Sequence, residues 1–324
     1  MRAGIAFAAA VLAATAGTAQ AQSDWKPSGN VEMVIHTGAG GGNDAFIRAV
    51  ALALQKDKAL PFNMVFSNKT GGGSISAMNY LNSKKGDPNT IGIFSSVWVT
   101  DGLVQEAAPL TIDKLTPISN LVLEPAIAVV RADSPYKTLQ DFVDAAKAKP
   151  GQLKQSGGSV LARDAVVRFV LMDKTGANWS FISFPSGGER ISALLGGHVD
   201  IMFIEPSEAG ELIRSGKLRP LAAVGEKRLE GYPDVPTLKE AGFDVPDVPQ
   251  ARGIVGPPDM PAEAVKYYSD FFKKVSESPS YKEYLAKTQL ENAYMDSAKT
   301  TDFLASYTDN MRNILKGAGQ KVVR

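Results

Sequence analysis

The sequence has 324 residues, 44% of them hydrophobic, which exceeds the size that a single core usually serves, so two domains are expected. Its 35 basic and 34 acidic residues nearly balance, which gives no electrostatic reason to expect nucleic acid or an anionic membrane surface as a partner. The absence of cysteine excludes disulfides, thiolate metal sites and the lipid-modified cysteine of a lipoprotein.

Residues 1–21 have the pattern of a secretory signal peptide. Arg2 precedes the apolar run of residues 5–16, and Ala19-Gln20-Ala21 has the small residues of a cleavage site. Because Arg2 is the one charged residue removed, the mature chain from Gln22 would carry 34 basic and 34 acidic residues. No later apolar run is long enough to span a membrane as a helix. We therefore expect an exported, periplasmic protein.

The first predicted element of the mature chain is an apolar strand from Val31 to His36. The loop that follows reads Thr37-Gly38-Ala39-Gly40-Gly41-Gly42-Asn43-Asp44. Apolar residues from Phe46 to Leu54 then recur at helical spacing, so Asn43 or Asp44 is expected to cap a helix. Glycines expose backbone N–H groups, and a helix N-terminus attracts negative charge, so this loop is a candidate anion site.

A second glycine loop follows the next predicted strand, which covers Met64 to Phe66. It reads Asn68-Lys69-Thr70-Gly71-Gly72-Gly73-Ser74, and a helix is expected from Ser74 to about Lys84. Two such loops at the carboxyl ends of neighbouring strands would point their amides at one crevice. Lys69 could add positive charge there, or it could be a solvated surface lysine.

Other interpretations of these loops fit less well. The first loop lacks the G-x-G-x-x-G spacing of a dinucleotide site, and no Walker motif is present. Lys69-Thr70-Gly71 matches the K-T-G of serine β-lactamases, but it precedes the only plausible S-x-x-K, Ser134 to Lys137, which reverses that family's order. Either loop alone could be a tight turn in an α/β fold, whereas the two together favour a ligand site.

The third strand is predicted over Thr90 to Phe94, and this strand–helix alternation is typical of a parallel sheet with covering helices. Ser95, Ser96 and Trp98 follow its carboxyl end and so share the crevice edge with the glycine loops. Two interpretations of Trp98 stay open, a wall of the ligand pocket and a core aromatic residue, because pocket walls are themselves mostly apolar and aromatic.

The extended run from Ile118 to Val130 is expected to enter a second domain, where the alternation begins again. Its polar loops, Gly157-Gly158-Ser159 and Ser186-Gly187-Gly188, also follow strands. The predicted strands run from Leu153 to Ser156, Phe181 to Phe184, Val199 to Ile204 and Leu221 to Val224, and the predicted helices from Leu139 to Lys149, Asp164 to Lys174, Glu189 to Leu195 and Ser207 to Arg214.

The chain is expected to return to the first domain after a proline-rich connector, residues 233–249. A short strand from Ala251 to Val255 precedes helices predicted from Pro261 to Ser276, Pro279 to Lys287 and Ala298 to Lys316, which would pack on the first domain without a further strand. Two crossings, near residues 118–130 and 248–256, would form a hinge that allows closure around a ligand. The predicted domains are residues 22–124 plus 252–324, and residues 125–251.

Four ordered motifs together suggest a family. They are G-G-x-x-D-x-x-x-R at Gly40 to Arg48, N-K-x-G-x-G at Asn68 to Gly73, L-L-G-G-x-V-D at Leu194 to Asp200, and L-R-x-L-A followed by P-D-V-P-T-x-x-E-x-G between Leu218 and Gly242. In this order they resemble the Bug/TctC extracytoplasmic solute receptors of tripartite tricarboxylate transporters. The match spans nearly all of the mature chain.

The resemblance implies an α/β protein with the type II periplasmic binding protein fold, in which two α/β lobes joined by a two-stranded hinge enclose a ligand cleft. It also implies that main-chain amides and ordered waters at residues 37–43 and 69–74 hold a ligand carboxylate. The sequence departs from the family at His36 and Thr37, where proline and an aromatic residue are usual, and in the second-domain loops 157–164 and 184–190.

Three charged residues of the second domain have open roles. Arg163 or Arg190 could supply a charged fork to a second ligand carboxylate, since arginine suits bidentate recognition. The alternative is an internal ion pair, for instance of Arg163 with Asp164, and this alternative is favoured for Arg190. Glu205 could accept hydrogen bonds from ligand hydroxyl or amino groups, or it could cap the helix that begins at Pro206.

The sequence thus predicts a periplasmic solute-binding protein without catalytic activity, which takes a small organic anion to two integral membrane subunits. We expect a monomer with no cofactor and no metal site, and His36 is the only candidate base. The alternatives are a periplasmic hydrolase or transferase and a sensory receptor that presents its ligand. The candidate ligand-binding residues are Thr37, Gly38, Ala39, Gly40, Gly41, Asn43, Asp44, Lys69, Thr70, Gly71, Gly72, Ser95, Trp98, Ser159, Arg163, Phe184, Ser186 and Glu205.

Overall fold

The computed structural model of the chain describes residues 25–158, 160–184, 187–246, 248–317 and 319–324. The predicted signal peptide and two candidate residues, Ser159 and Ser186, lie outside the described residues. Among those described, no helix is both long enough and apolar enough to cross a membrane, and no group of three metal-binding side chains comes together.

Strands and helices alternate along most of the described chain. The strands are β1 Val31–Ile35, β2 Met64–Asn68, β3 Thr90–Ser95, β4 Thr116–Glu124, β5 Ala126–Arg131, β6 Lys154–Gly157, β7 Ser180–Ser183, β8 Ile201–Ile204, β9 Leu218–Val224, β10 Gln250–Gly256 and β11 Glu291–Met295. The helices are α1 Gly42–Lys56, α2 Ile75–Ser83, α3 Val97–Val104, α4 Leu139–Ala148, α5 Arg163–Thr175, α6 Gly187–Leu195, α7 Pro206–Arg214, α8 Ala262–Glu277, α9 Pro279–Thr288 and α10 Ser297–Gly317.

The first lobe is built on a six-stranded sheet with the order β11-β4-β10-β3-β1-β2. Its strand β1 is parallel to β2 and β3, so these three strands end at the same edge of the sheet, as the alternation of elements predicts. Strand β10 enters between β3 and β4 and is antiparallel to both, because it arrives from the other lobe.

The second lobe is built on a five-stranded sheet with the order β7-β6-β8-β5-β9. Strand β6 is parallel to β7 and β8, while β5 is antiparallel to β8 and β9. The chain passes between the sheets at Pro125, between β4 and β5, and again through residues 225–249, between β9 and β10. The first crossing lies within the predicted residues 118–130, whereas the second begins earlier than the predicted residues 248–256, because residues 250–256 already form β10.

Each sheet is covered on both faces, and its strands are accordingly apolar on both faces. Val31, Met33 and Ile35 of β1 face one core cluster, while Val34 faces a second cluster on the other side of the sheet. The strand β5 alternates in the same way in the second lobe: Ile127 and Val129 face one core cluster, and the residues between and beside them face the cluster on the other side of the sheet. Each such side chain stabilises the fold by about 1.5–3 kcal/mol when it is fully buried.

The C-terminal region differs from the prediction in one element. The helices α8 and α10 pack on β4 of the first lobe, as expected, but a strand, β11, lies between α9 and α10 and pairs with β4. The prediction of helices alone was therefore wrong. The sequence Glu-Asn-Ala-Tyr-Met of β11 is short and polar at its first two positions, which are exposed at the sheet edge, so it carries little strand pattern.

Candidate ligand-binding site

The candidate site lies where the parallel strands of each lobe end. Residues 36–41 follow β1, residues 69–74 follow β2, and α3 follows β3, so these segments share one edge of the first sheet. In the second lobe the corresponding segments follow β6, β7 and β8. The crevice edge of each lobe is thus formed by loops and helix N-termini.

The loop after β1 is shaped by Thr37 and Gly41. Gly41 is the N-cap residue of α1, with an extended backbone and no side-chain capping bond, so the prediction of Asn43 or Asp44 as the cap was wrong. Both lie inside the first turn. A Cβ at Gly41 would stand 2.8 Å from the Cβ of Thr37, whose hydroxyl accepts the N–H of Asp44 at 3.3 Å. The close fit of Thr37 against Gly41 requires glycine there.

Asp44 holds this loop together from within. Its carboxylate accepts hydrogen bonds from the Gly40 N–H at 2.9 Å, Arg48 Nε at 2.9 Å and Asn68 Nδ2 at 3.0 Å. Burial raises the pKa of Asp44, but these hydrogen bonds outweigh burial and lower the pKa below its usual value. Since the carboxylate has three partners inside the protein, Asp44 positions the loop.

The loop after β2 already holds a carboxylate of the protein. Gly71, Gly72 and Gly73 have φ angles of +127°, +58° and +68°, which L-residues with a side chain rarely adopt. The buried Asp101 of α3 accepts the backbone N–H of Ser74 at 2.7 Å and its hydroxyl at 2.8 Å. A Cβ at Gly73 would collide with the same carboxylate.

Asp101 therefore occupies the N-terminus of α2. The sequence interpretation missed this residue, and it also missed α3, whose segment Val97–Val104 is too uniformly apolar to show an amphipathic pattern. The one signal in the sequence for a buried, hydrogen-bonded Asp101 was its position within an apolar run, since an aspartate is buried only when it has partners. Gln105 provides another partner, because its Nε2 donates to Asp101 Oδ1 at 2.7 Å.

Two residues near these loops have partners within the first lobe. The Nζ of Lys69 lies 4.1 Å from the centre of the Tyr80 ring, a cation–π contact that turns its charge toward α2. Trp98 is fully buried and donates its indole N–H to His36 Nδ1 at 3.0 Å. Of the two interpretations of Trp98 the structure supports the core residue, so we no longer assign it a ligand contact.

Arg252 of β10 lies beside the N-terminus of α1, although sequence reasoning did not select it. A Cβ at Gly42 would be 3.0 Å from each terminal nitrogen of its guanidinium. Its Nη1 donates to Asn43 Oδ1 at 2.5 Å, and its Nη2 and Nε donate to Glu124 Oε2 at 2.6 and 3.0 Å. Arg252 and Glu124 form a buried ion pair.

A second buried ion pair joins Arg163 to Glu205. Arg163 Nη2 donates to Glu205 Oε1 at 2.7 Å, and its Nη1 donates to the main-chain oxygen of Glu124. The internal ion pair was one of the two predicted alternatives, but its partner is Glu205 and Asp164 is bonded elsewhere. Although burial raises the pKa of Glu205, the positive charges of Arg163, Arg190 and Arg252 lower it overall.

Glu205 is the N-cap residue of α7, as one of its two predicted roles requires, but its side chain makes no capping bond to the helix. Its partners explain why: Gln250 Nε2 also donates to Glu205 Oε1, at 3.2 Å, and to Glu124 Oε2, at 2.8 Å. Gln250 thereby links the two ion pairs. Because Glu124 and Gln250 stand at the two chain crossings, the linked pairs lie across the junction of the lobes.

Arg190 has the internal partner that the sequence interpretation favoured, although the acid is Asp164. The Arg190 Nη2 lies 3.4 Å from Asp164 Oδ2 and donates to the Phe203 main-chain oxygen at 2.7 Å. The Gly158 N–H donates to the same carboxylate oxygen at 3.2 Å. Despite these partners, burial raises the pKa of Asp164.

The carboxylate of Glu208 lies at the N-terminal end of α6, where a Cβ at Gly187 would collide with Glu208 Oε2. Burial and the negative charge of Glu205 raise the pKa of Glu208 to about 7. Among the described residues no arginine or lysine forms an ion pair with it. Glu208 thus stands, like Asp101, at a helix N-terminus on the crevice edge.

The remaining candidates differ in exposure. Ser95 is buried at the end of β3, where it is paired with Arg252 in the sheet, and Phe184 is half-buried against the second-lobe core. Gly38, Ala39, Gly40, Thr70, Gly71 and Gly72 are exposed on the loops. The structure therefore brings the two glycine loops to one edge and leaves their tips open to solvent.

The chain is similar to known solute receptors over nearly its whole length. Residues 46–319 match the family described as “Tripartite tricarboxylate transporter family receptor”. A UPF0065 protein from Cupriavidus necator is 34% identical over 319 residues, which cover 98% of this chain and 96% of that protein.

Solved structures agree with this similarity. A TctC solute binding protein from Polaromonas, without ligand, is 26% identical with a TM-score of 0.73, and the alignment covers 90% of this chain and 99% of that one. An R. palustris protein with adipate is 20% identical with a TM-score of 0.81, covering 91% and 99%, and it shows that the fold is shared.

Proposed function

This chain belongs to the family of tripartite tricarboxylate transporter receptors, and from that membership we propose that it binds a small organic carboxylate between its two lobes. It is a solute receptor of the two-lobed binding-protein fold rather than an enzyme, and its family works outside the cytoplasm. The binding of adipate by a protein of the same fold supports the choice of carboxylates as the ligand class.

The observation that carries the proposal is the N-terminus of α1. The N–H groups of Gly42 and Asn43 are the first two of the helix, so no helix carbonyl accepts from them. In the described part of the chain no other acceptor meets either group. The Arg252 guanidinium lies beside them. A helix N-terminus stabilises an anion by about 0.3–1 kcal/mol, and up to about 2 kcal/mol when partly buried, so further donors must contribute.

Further donors are proposed on the neighbouring loops. The N–H groups of Thr70, Gly71 and Gly72 lie on exposed backbone beside the first loop, and no described residue accepts from them. In the second lobe we propose contacts from residues 158–164 and 184–190. Because Arg163 and Arg190 already face Glu205 and Asp164, their role there is to hold these loops in place.

We propose that export by the N-terminal signal peptide places the protein in the periplasm, where it works as a monomer and delivers its ligand to two membrane subunits. The two sheets would be the cores of two domains, residues 22–124 plus 252–324 and residues 125–251. A sensory receptor would bind in the same way but present its ligand to a different partner. Genes for a large and a small membrane subunit next to this gene would favour transport.

Thermal unfolding of residues 22–324 tests the proposal. The protein is heated with mono-, di- and tricarboxylates, aromatic acids and amino acids, and sodium chloride at matched ionic strength is the control. A carboxylate at 100 times its dissociation constant stabilises the folded state by about 2.7 kcal/mol, so the midpoint should rise. Mass spectrometry should then recover the same carboxylate unaltered. If no carboxylate raises the midpoint beyond the chloride control, the proposed ligand class is wrong.

A further inference from the structure

His36 lies directly after β1, at the beginning of the first glycine loop, and two side chains fix its ring. The indole N–H of Trp98 donates to His36 Nδ1 at 3.0 Å, and Asn43 Nδ2 lies 3.3 Å from the same atom. The rings of His36 and Trp98 meet edge to face, with their centres 5.8 Å apart.

The identity of these partners determines the tautomer. An indole nitrogen can only donate a hydrogen bond, and so can the nitrogen of a carboxamide. The amide of Asn43 cannot be reversed, because its oxygen accepts from Arg252 Nη1 at 2.5 Å. Nδ1 of His36 therefore accepts with its lone pair, and the neutral ring carries its hydrogen on Nε2.

The Nε2–H of His36 has no acceptor among the described residues. The residue is 9% exposed, and because the buried Trp98 and Asn43 cover the Nδ1 edge, the exposed part is the opposite edge of the ring, that of Nε2. A preorganised donor that has no partner in the described chain, at the exposed edge of the ring and beside the loop that forms the proposed site, can meet an acceptor that comes from outside the chain.

We propose that His36 determines specificity in the cleft by donating its Nε2–H to an oxygen of the bound carboxylate. The inference rests on the proposed function and adds to it one side-chain contact. The donor is neutral: burial and the positive charge of Arg252 lower the pKa of His36 to about 3, so the ring does not become a cation under ordinary conditions. Trp98 and Asn43 act as positioning residues, because they keep the hydrogen on Nε2.

The chain offers a sharp experiment because it has only two histidines, and His198 is exposed. Residues 22–324 labelled with ¹⁵N in histidine alone give two imidazole spectra, of which His198 is the control. Before ligand is added, His36 should show a protonated Nε2 and an unprotonated Nδ1. Adipate, malate and citrate are then added separately. The carboxylate that raises the unfolding midpoint should shift the Nε2–H resonance of His36 and leave His198 unchanged.

Two substitutions separate the binding role from a merely structural one. In His36→Asn the amide oxygen can take the place of Nδ1 and accept from Trp98, while the donor at Nε2 is lost. We expect a folded protein with a near-normal midpoint that binds the carboxylate about tenfold more weakly. His36→Gln restores a donor near the Nε2 position, so affinity should recover although the Trp98 N–H loses its acceptor. His198→Asn is the matched control and should bind as the unaltered chain does.

Each outcome decides between the two proposals. A carboxylate that raises the midpoint without moving the His36 Nε2–H signal, and that binds His36→Asn with full affinity, would overturn the role of His36 and leave the proposed function intact. If none of the three carboxylates raises the midpoint and the wider panel fails too, the proposed function falls, and the role of His36 falls with it. Protonated Nδ1 in the ligand-free spectrum would overturn the tautomer argument on its own.

Discussion

The two glycine loops of the first lobe look alike in sequence, yet the helices that follow them present different surfaces to a ligand. At α2 the N-terminus is filled by the carboxylate of Asp101, which accepts the Ser74 N–H. At α1 the first two N–H groups stay unpaired within the described chain, and a cation, Arg252, lies beside them. Glycine content thus predicts that backbone is accessible, whereas a residue distant in sequence decides which charge the helix end receives.

The largest changes in stability and carboxylate affinity are expected at the N-terminus of α1. Arg252→Met removes the cation from this loop and leaves Glu124 as a buried charge without its arginine. We expect a loss of about 3–5 kcal/mol in the free energy of unfolding, measured by urea denaturation, and a clear fall in carboxylate affinity. The double variant Arg252→Met with Glu124→Gln removes the unpaired charge and should recover part of the stability without the affinity. Equal stability of both variants would contradict this account.

The matching change at α2 should affect stability and leave binding unaltered. Asp101→Ala deprives the Ser74 N–H, the Ser74 hydroxyl and Gln105 of their shared acceptor. A loss of about 1–3 kcal/mol in the free energy of unfolding is expected, because buried donors remain unsatisfied. The control is Asp302→Ala, which removes an exposed aspartate from α10. A large loss of carboxylate affinity in Asp101→Ala would mean that the two loops are more alike than their contacts suggest.

A single methyl group can test how closely Arg252 approaches α1. In Gly42→Ala the new Cβ would press on the guanidinium at 3.0 Å, whereas in Gly317→Ala, at the end of α10, it would meet nothing within 4 Å. The group that the new Cβ meets is the end of a long side chain, which can shift by a few tenths of an ångström, so the stability of Gly42→Ala should change little. Its carboxylate affinity should fall, while Gly317→Ala should bind normally. Isothermal titration of both variants makes the comparison, and equal affinities would count against the role of Arg252.

The smallest change in stability is expected at α6 of the second lobe, where the carboxylate of Glu208 lies at the helix N-terminus as that of Asp101 does at α2. The Glu208 pKa of about 7 lies above the usual value, so the folded state binds more protons than the unfolded state between about pH 4.5 and pH 7. The contribution of Glu208 to stability therefore decreases as the pH rises through this range. Glu208→Gln should flatten the dependence of unfolding free energy on pH, and Glu263→Gln, at an exposed site on α8, should not. If the unfolding free energies of the two variants depend on pH in the same way, the raised pKa of Glu208 is wrong.

The comparison also explains what the sequence could predict. Periodicity and glycine loops predicted most of the strands and helices, because these are local patterns, but they missed the strand β11 and the helix α3. The pairing of Arg163 with Glu205 joins residues 42 positions apart, and Asp101 reaches Ser74 across 27, so neither could be inferred from spacing. Asp164 was considered for Arg163 because it is adjacent, yet adjacent residues on a helix point in different directions.

The role of Trp98 also could not be decided from its position in the sequence. Its position after β3 is compatible with a pocket wall and with a core residue, and only the burial of its whole ring distinguishes them. For His36, the sequence drew attention to the residue but could not predict its protonated nitrogen. Composition marks it as one of two histidines, but its tautomer depends on Trp98, which is 62 positions away.

The linked ion pairs at the chain crossings have a consequence for motion. Rotation of one lobe against the other would separate Arg163 from the Glu124 carbonyl and Gln250 from Glu205. Water solvates charged and amide groups well, so hydration offsets much of the lost attraction, whereas an apolar contact of similar area would resist separation. Two lobe arrangements would then differ little in free energy, and a small ligand with a modest binding energy could shift the population between them.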